Sequence, residues 1–261
     1  MNWFFKEDNT EAILTAEAHI ASMHVELKDL RAFPKTAILF YMHGGEEYLC
    51  QNCGGKLLME KFPRFLRACP VYALNEKVCF LDGGRGAPHA ADTVETLAAL
   101  GVKRIITVGM FGAFGESVEI GDIIVPERAL IEEGLSHHYF DSPEYSYPDE
   151  SLASRLSELT GAERAQIVST DSVYRQTYFK ERLWRERGAI GVDMETSAVF
   201  SVSNYLGISA ATVLIASDKH PIDETAVKKW EWRMTREMRY DFFERAVRAV
   251  LTIAEEAERE D

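Results

Sequence analysis

The stretch that decides the fold runs from Val78 to Ala113 and reads VCFLDGGRGAPHAADTVETLAALGVKRIITVGMFGA. The apolar run Val78–Leu81 predicts a buried strand, and Ala90–Leu100 shows the spacing of apolar residues that is typical of a helix. A second apolar run, Arg104–Val108, follows after a short return and is closed by glycines. A strand, a helix and a strand joined in this way are typical of the parallel crossover unit. We therefore predict an α/β fold whose sheet contains parallel strands.

The same pattern recurs toward the carboxyl end of the chain. A helix is predicted from about Thr196 to Leu206, and the β-rich run Ala211–Ile215 follows it. Asp218 stands just beyond that run. Ligands of open α/β sheets gather outside the carboxyl ends of the parallel strands. We therefore expect the turn at Gly109 and the turn at Asp218 to face one crevice.

The remaining segments complete a single predicted domain, residues 1–261. Residues 1–34 are amphipathic and predict a leading segment of one or two helices. Gly134–Pro148 is rich in Tyr, Ser, Pro and Asp, which predicts a long loop that covers a pocket. Trp230–Glu258 has helical spacing and predicts a packing helix.

The composition favours a small ligand. The chain has 29 basic and 42 acidic residues and a formal net charge of −13, which repels nucleic-acid backbones and anionic membranes. No stretch has the roughly 18 to 20 continuous apolar residues of a membrane span, and the N-terminus does not resemble a signal peptide. We therefore expect a cytoplasmic protein that binds neither nucleic acid nor membrane.

The four cysteines do not suggest a secreted disulfide framework, and reduced thiols are expected. Cys50-Gln-Asn-Cys53 has the spacing of half a zinc site or of a redox pair. A structural zinc site needs two further ligands, and the sequence has no second Cys-x-x-Cys. No metal site is therefore predicted.

Three motifs carry a family resemblance that extends from about Lys77 to Pro221. Gly191–Ala198, which reads GVDMETSA, resembles the Met-Glu signature of the nucleoside phosphorylase family, which includes hexameric purine and uridine phosphorylases and related nucleosidases. Val108–Phe114 and Val118–Val125 resemble the family's glycine turn and its following Gly-Asp strand. The resemblance implies a three-layer α/β sandwich, with a central mixed and twisted sheet flanked by helices.

The chemistry of this family sets three requirements. Cleavage of a nucleoside C–N bond needs an acid at the leaving base, a carboxylate at the ribose hydroxyls and a nucleophile below the sugar. By residue type alone, Asp218 is either an acid whose pKa is raised in a partly desolvated crevice or an ordinary helix cap. Glu195 is either the carboxylate that accepts from two hydroxyls or a first-turn glutamate stabilised by the helix dipole.

The resemblance decides between these alternatives. It implies that Met194 packs under the ribose, that Glu195 binds its hydroxyls and that Asp218 assists a purine leaving group. Uridine phosphorylases lack that aspartate, so its presence favours a purine nucleoside as substrate. The remaining expected substrate contacts lie in the glycine turn and after Ser169–Ser172, and they are Phe111, Gly112, Val173 and Tyr174.

The phosphate site departs from the family pattern. Family phosphorylases hold phosphate with an arginine two residues before the glycine of the turn and a Ser or Thr just after it. Here those positions are Thr107 and Met110, on either side of Gly109. The early Gly-Asp-Pro-x-x-Arg loop is also missing, and His43–Glu47 stands in its place.

Two alternatives remain for the residues that hold or activate the nucleophile. In the first, the side chain of Arg85 and several backbone N–H groups of Gly83–Gly86 together bind a phosphate beside Gly109 and Met110. Alternatively, Glu46 or Glu47 positions or deprotonates water, as a glutamate near this place does in the nucleosidases. Both glutamates could equally be solvated turn residues and Arg85 a surface charge.

Three functions follow from the resemblance. The first is a purine-type nucleoside phosphorylase with inorganic phosphate as co-substrate and no metal or organic cofactor, favoured because Glu133–Tyr139 resembles the phosphorylase loop. The second is a hydrolytic nucleosidase, and the third is a non-catalytic nucleoside-binding relative. The family also implies a homo-oligomer, whether dimer, trimer or hexamer. The candidate residues for completing a neighbouring site are His19, His24 and Arg31.

Overall fold

The computed structural model describes residues 3–23, 33–226, 230–257 and 259, and its described strands form one mixed sheet. The strands are β1 (Thr36–Phe40), β2 (Lys56–Met59), β3 (Val71–Ala73), β4 (Val78–Asp82), β5 (Arg104–Ala113), β6 (Ile123–Glu132), β7 (Tyr145–Ser146), β8 (Glu163–Thr170), β9 (Ala189–Asp193), β10 (Ser209–Lys219) and β11 (Glu231–Trp232). The helices are α1 (Ala16–Ser22), α2 (Gly45–Asn52), α3 (Ala87–Ala99), α4 (Ser136–Tyr139), α5 (Glu150–Thr160), α6 (Tyr178–Glu186), α7 (Thr196–Leu206) and α8 (Arg236–Ala257).

The sheet closes on itself around the strands that carry the predicted motifs. Strand β10 pairs in parallel with β5 and antiparallel with β6. Strand β6 continues to β8 and β9, and β9 returns antiparallel to β5. Strands β5, β10, β6, β8 and β9 therefore form a ring, and β1, β4, β3 and β2 extend the sheet from β5. The ends of β5, β9 and β10 are brought together by this closure.

Helices cover both faces of the sheet, because the central strands are apolar on both sides. Along β1, Leu39 packs into a cluster with α3 and α7, whereas its neighbours Ile38 and Phe40 pack into a cluster with α2, α5 and α8. Every residue of β1 is buried, as expected for a strand with parallel neighbours on both sides. The predicted central mixed sheet flanked by helices is confirmed.

The stretch Val78–Ala113 folds as the predicted crossover unit of β4, α3 and β5, with one difference. Strands β4 and β5 are each parallel to β1. The expected turn at Gly109 is wrong, because β5 continues through it to Ala113. Strand β10 pairs alongside β5 from Arg104 to Ala113 and holds the glycine-rich segment extended.

The ends of the chain also differ from the sequence pattern. The predicted helix over 230–258 begins only at Arg236, because Glu231–Trp232 forms a strand that pairs with the end of β10. The loop predicted over 134–148 contains α4 and β7. Within the leading segment α1 is helical, and His24 and Arg31 lie outside the described residues. In the described ranges, no helix combines the length and apolar character needed to cross a membrane.

Candidate active site

Some of the predicted site residues lie where β5 runs between β9 and β10. Gly112 of β5 is opposite Asp218 on β10 and opposite Val192 on β9. Strand β9 ends at Asp193, and Met194 and Glu195 follow immediately, with Glu195 preceding the first residue of α7. Two of the three chemical requirements, a carboxyl group for the base and one for the sugar, therefore lie on either side of one glycine.

Asp218 is buried and accepts hydrogen bonds from three side chains. Trp230 Nε1 donates to Oδ2 over 2.7 Å, His220 Nε2 lies 3.0 Å from the same oxygen, and Ser217 Oγ donates to Oδ1. Burial alone raises the pKa of Asp218, but these hydrogen bonds and the charge of His220 outweigh it and lower the pKa below its ordinary value. The expectation of a raised pKa is therefore wrong, and the carboxyl is ionised. The helix-cap alternative is also wrong, because Asp218 lies within β10.

His220 links Asp218 to a second carboxylate. Its Nδ1 lies 2.6 Å from Glu181 Oε1 on α6, and all three side chains are largely buried. Burial opposes the charge of the imidazole, but the hydrogen bonds and charges of Asp218 and Glu181 prevail and raise the pKa of His220 to about 9. His220 was missed in the sequence. The available signal was its position two residues after Asp218, which places both side chains on one face of an extended strand.

Glu195 is 7% exposed and accepts a hydrogen bond from the backbone N–H of Gly86 over 2.7 Å. Burial and the nearby carboxylate of Asp193 raise the pKa of Glu195 to about 8, although Gly86 and Arg85 act in the opposite direction. Asp193 itself accepts from Ser169 and Thr196 and so fixes the start of α7. Met194 is half-buried between the two acids.

The turn from Asp82 to Gly86 holds Arg85 against a carboxylate. Nη1 of Arg85 lies 2.8 Å from Asp82 Oδ1 and also donates to the carbonyls of Gly84 and Phe40. Gly84 has φ +94°, a conformation that residues with a Cβ seldom adopt. Since Gly86 in the same turn donates to Glu195, Arg85 is joined to the candidate sugar carboxylate through one residue of backbone.

Three buried polar atoms around this turn have no hydrogen-bond partner among the described residues, namely Tyr41 Oη, Arg64 Nη2 and His89 Nε2. Arg64 is 3% exposed and directs Nη1 to the carbonyl of Asp82 and to Thr93. The ring of Tyr41 lies against Gly83, where a Cβ would be 2.6 Å from it. Unsatisfied buried donors of this kind need a partner, and a bound ligand would supply one. None of these three residues was among those predicted from the sequence.

The two positions that depart from the family pattern do not face open space. Thr107 is 1% exposed and its hydroxyl is 2.7 Å from that of Thr212. Met110 is half-buried against the cluster of α2, α5 and α8. At Gly109 a Cβ would lie 3.1 Å from Leu214 and 3.3 Å from Tyr41, so neighbouring side chains closely approach this glycine.

The predicted base contacts have three different settings. Phe111 is 1% exposed and its ring covers Gly191, so it belongs to the core, and the predicted side-chain contact with substrate is not provided by this arrangement. Gly112 is half-buried beside Asp218. Val173 and Tyr174 lie on a short 3₁₀ helix after β8 and are 49% and 94% exposed. The described chain alone does not enclose them.

Glu46 and Glu47 open α2 and differ in environment. Glu47 is exposed and accepts from Gln51. Glu46 is half-buried, and burial together with the negative charge of Asp82 raises its pKa above the ordinary value, although Arg85 and Arg64 oppose the change. Of the two, Glu46 therefore has the setting of a general base.

The described chain has one cavity beside His220 and a second cavity away from the site residues. One of about 710 Å³ is lined by His220 and Lys219 together with residues 221–223. The other, of about 820 Å³, lies at the beginning of β6 and β8. His220 lines the first of these cavities, whereas Glu195 lines neither of the two.

The raised pKa of Glu195 predicts an effect on stability. In the unfolded chain this carboxyl has a pKa near 4.5, and in the folded chain about 8. Between these values the unfolded state has released a proton that the folded state retains, so the free energy of unfolding falls as pH rises. Between pH 5 and 9, we expect Glu195→Gln to reduce this fall in the free energy of unfolding by roughly 2 to 5 kcal/mol. Urea denaturation of both proteins at each pH measures it, and identical pH dependences would contradict it.

Known proteins share both sequence and fold with this chain. A guanosine phosphorylase of Halorubrum lacusprofundi is 32% identical over 139 residues, which are 50% of this chain and 56% of that protein. A uridine phosphorylase of Haemophilus influenzae is 25% identical over 70% of this chain and 77% of its own length. The chain thus spans little more than half the length of the first relative.

The fold comparison reaches further than the sequence comparisons. The crystal structure of AMP nucleosidase from Bacteroides thetaiotaomicron superposes with a TM-score of 0.72 and 21% identity, covering 93% of this chain and all of that chain. Members of the superfamily that includes these relatives act on nucleosides, either as phosphorylases or as nucleosidases. The family model described as the phosphorylase superfamily matches residues 37–257, and the chain therefore belongs to that superfamily.

Proposed function

We propose that the chain cleaves the N-glycosidic bond of a purine nucleoside and transfers the pentosyl group to inorganic phosphate. A phosphate oxygen attacks C1′, the bond from C1′ to the base nitrogen breaks, and the purine leaves with the bonding electron pair and takes up a proton. The observation that carries this proposal is the 2.7 Å hydrogen bond from Gly86 to Glu195, which joins the Arg85 turn to the sugar carboxylate. An anion held by that turn is a neighbour of a sugar held by Glu195.

The sugar contacts are proposed for Glu195 and Met194. An ionised carboxylate accepts hydrogen bonds from two adjacent hydroxyls. Gly86 donates only to Oε1 of Glu195, so Oε2 can accept from the sugar without breaking that bond. Met194 supplies an apolar surface for the ribose ring. The motif that contains both residues, Gly191–Ala198, is one of the three that carry the family resemblance.

The leaving-group contact is proposed for Asp218. Its carboxylate is held rigidly by Trp230, Ser217 and His220, so a purine nitrogen that docks on it meets an oriented group. The name of the guanosine phosphorylase relative also supports a purine substrate. Gly112 lies directly opposite Asp218 and, because it has no side chain, leaves the carboxylate and the His220 imidazole unobstructed.

The phosphate contacts are proposed for the turn that contains Arg85 and for the backbone of Gly109 and Met110 in β5. Arg85 is partly neutralised by Asp82, so the turn needs a second positive charge. Arg64 meets that need, because it is buried and its Nη2 has no partner among the described residues. Arginine is well suited to a phosphoryl oxygen because its donors are fixed in one plane.

A second candidate function is hydrolysis, which the environment of Glu46 favours. A half-buried carboxylate whose pKa is raised above its ordinary value accepts a proton from water more readily than an exposed one. Glu46 is close enough to Asp82, Arg85 and Arg64 for their charges to act on it. Water activated by Glu46 would therefore arise on the same side of the sugar as the phosphate.

The two functions separate in one experiment. Inosine, adenosine, guanosine and uridine are each incubated with the protein, with and without inorganic phosphate, and the sugar product is identified by chromatography. Pentose 1-phosphate that forms only with phosphate supports the proposal. Free pentose formed equally without phosphate supports hydrolysis, and tight nucleoside binding without turnover supports a non-catalytic relative.

Replacing Arg85 tests the anion site directly. We expect Arg85→Gln to raise KM for phosphate about 10- to 100-fold, because one charge-assisted hydrogen bond is worth about 1.5 to 3 kcal/mol. KM for the nucleoside should change less than about 3-fold, since Arg85 is not a proposed sugar contact. Arg248→Gln, on the exposed face of α8, is the matched control. An unchanged KM for phosphate would remove Arg85 from the site.

A further inference from the structure

We propose that His220 is the proton reserve for the leaving group, held by Glu181 and acting through Asp218. This inference rests on the proposed cleavage of a purine nucleoside and assigns two residues that the family resemblance did not supply. Because His220 acts through Asp218, it is a positioning residue rather than a catalytic one. Glu181 in turn acts through His220.

The geometry is a continuous chain of hydrogen bonds. Glu181 Oε1 is 2.6 Å from His220 Nδ1, and His220 Nε2 is 3.0 Å from Asp218 Oδ2. The side chains of Glu181, His220 and Asp218 are 7%, 12% and 10% exposed. An imidazole enclosed between two carboxylates retains its proton, and each ring nitrogen then donates to one of them.

Asp218 alone lacks the proton that the leaving purine requires. Its ionised carboxylate is stabilised by Trp230, Ser217 and His220 together, which keeps its pKa low. Of these three donors, only the His220 imidazolium is acidic enough to serve as a general acid. The tryptophan N–H and the serine hydroxyl orient the carboxylate without supplying an acid.

The proton balance of the step is closed within the three residues and the base. As the bond from C1′ to the base breaks, His220 Nε2 passes its proton to the ionised carboxylate of Asp218, and Asp218 passes a proton on to the purine nitrogen. His220 is then neutral, with its remaining proton on Nδ1 facing Glu181. A proton from water restores the imidazolium after the base has left.

The charges around His220 favour this role from each packed element. Glu181 faces it from α6 and Asp218 from β10, and both carry negative charge. The adjacent Lys219 directs its ammonium group away, to the carbonyls of Gly115 and Val118. Arg185 of α6 donates to the carbonyl of Ile222 instead of approaching the ring.

Gly112 leaves the room that the chain of bonds needs. A Cβ at this position would lie 2.7 Å from His220 Nε2 and 3.2 Å from Asp218 Oδ2. Both atoms belong to the bond through which the proton passes. A side chain here would displace the imidazole from the carboxylate.

The test compares two substrates in the full-length protein. Inosine has a leaving group that needs a proton, whereas 4-nitrophenyl β-D-ribofuranoside does not. We expect His220→Gln to lower kcat for inosine about 30- to 100-fold and kcat for the nitrophenyl riboside less than about 3-fold. The matched control, Glu186→Gln, lies at an exposed position of α6 and should leave both rates unchanged.

The pH profile gives a readout that a purely structural role would not move. With a pKa of about 9, His220 loses its proton as pH rises, so kcat for inosine should fall above pH 9 in the wild type. Glu181→Gln removes one stabilising charge and should move this decline about one unit or more toward lower pH. The decline should be absent for the nitrophenyl riboside.

Two results would overturn the proposal, and neither is confused with failure of the proposed function. Equal losses on both substrates in His220→Gln would mean that His220 only supports the fold. A proton NMR titration of the His220 ring needs no turnover, and a pKa in the ordinary range that is unchanged by Glu181→Gln would also reject it. Failure of the wild type to cleave either substrate would instead count against the proposed function.

Discussion

Replacing Asp218 with asparagine should lower kcat/KM for inosine by about 10³-fold, within the range of about 10² to 10⁴ that positioned acids and bases contribute. Asparagine has nearly the same shape, so Trp230 and Ser217 can still pack around it. It cannot take a proton from His220 or pass one to the purine, because a side-chain amide is neither an acid nor a base near neutral pH. The measurement is initial velocity at saturating phosphate for wild type and variant.

The control for this prediction is again the nature of the leaving group. For 4-nitrophenyl β-D-ribofuranoside the same substitution should cost less than about 10-fold, since no proton transfer to that leaving group is required. Asp241→Asn, at an exposed position of α8, should leave both rates unchanged. A loss of the same size on both substrates would show that Asp218 holds the site together but does not serve the leaving group.

Much of the fold was predictable because its signals are local. The unit β4, α3 and β5 was predicted from apolar runs and glycines within 36 residues of sequence, Val78 to Ala113. The extent of β5 was not predictable, because it depends on pairing with β10, about a hundred residues later in the chain. The same is true of Glu231–Trp232, which is extended only because it pairs with the end of β10.

The carboxylates of the site were predictable as residues but not in their protonation. The sequence indicates that Asp218 is enclosed, and enclosure alone raises the pKa of an acid. The three donors that reverse this shift include Trp230, which is twelve residues away, and His220, whose charge depends on Glu181 at a separation of 39 residues. The direction of the pKa shift of Asp218 therefore depends on contacts between distant elements, which cannot be predicted from the spacing of residues in the sequence.

The anion side of the site was predicted only in part. Arg85 stands in a glycine-rich turn, which is a local signal, and the turn does approach Glu195. Its salt bridge with Asp82 weakens the simple form of that hypothesis. Arg64 has no local motif, and its burial beside the carbonyl of Asp82 follows from the packing of the segment after β2 against β4 and α3.

The second large effect is expected at Glu195. We expect Glu195→Ala to lower kcat/KM for inosine about 10²- to 10³-fold, because two hydrogen bonds from the ribose to a charged acceptor are worth about 3 to 4 kcal/mol. The loss should appear largely in KM if the contact is equal in ground and transition states, and in kcat if it strengthens as the sugar gains positive charge. Steady-state kinetics with varied inosine distinguish the two.

The pH dependence adds a sharper requirement for Glu195, since its pKa of about 8 leaves it mostly protonated at pH 7 in the free protein. Hydroxyl donors bind the ionised form better, so KM for inosine in the wild type should fall as pH rises from 7 to 9. Glu195→Gln keeps the shape and one acceptor but cannot ionise, so its KM should lack this dependence. Glu186→Ala on the exposed side of α6 is the control. A wild-type KM independent of pH over this range would show that Glu195 does not meet the sugar as an ionising carboxylate.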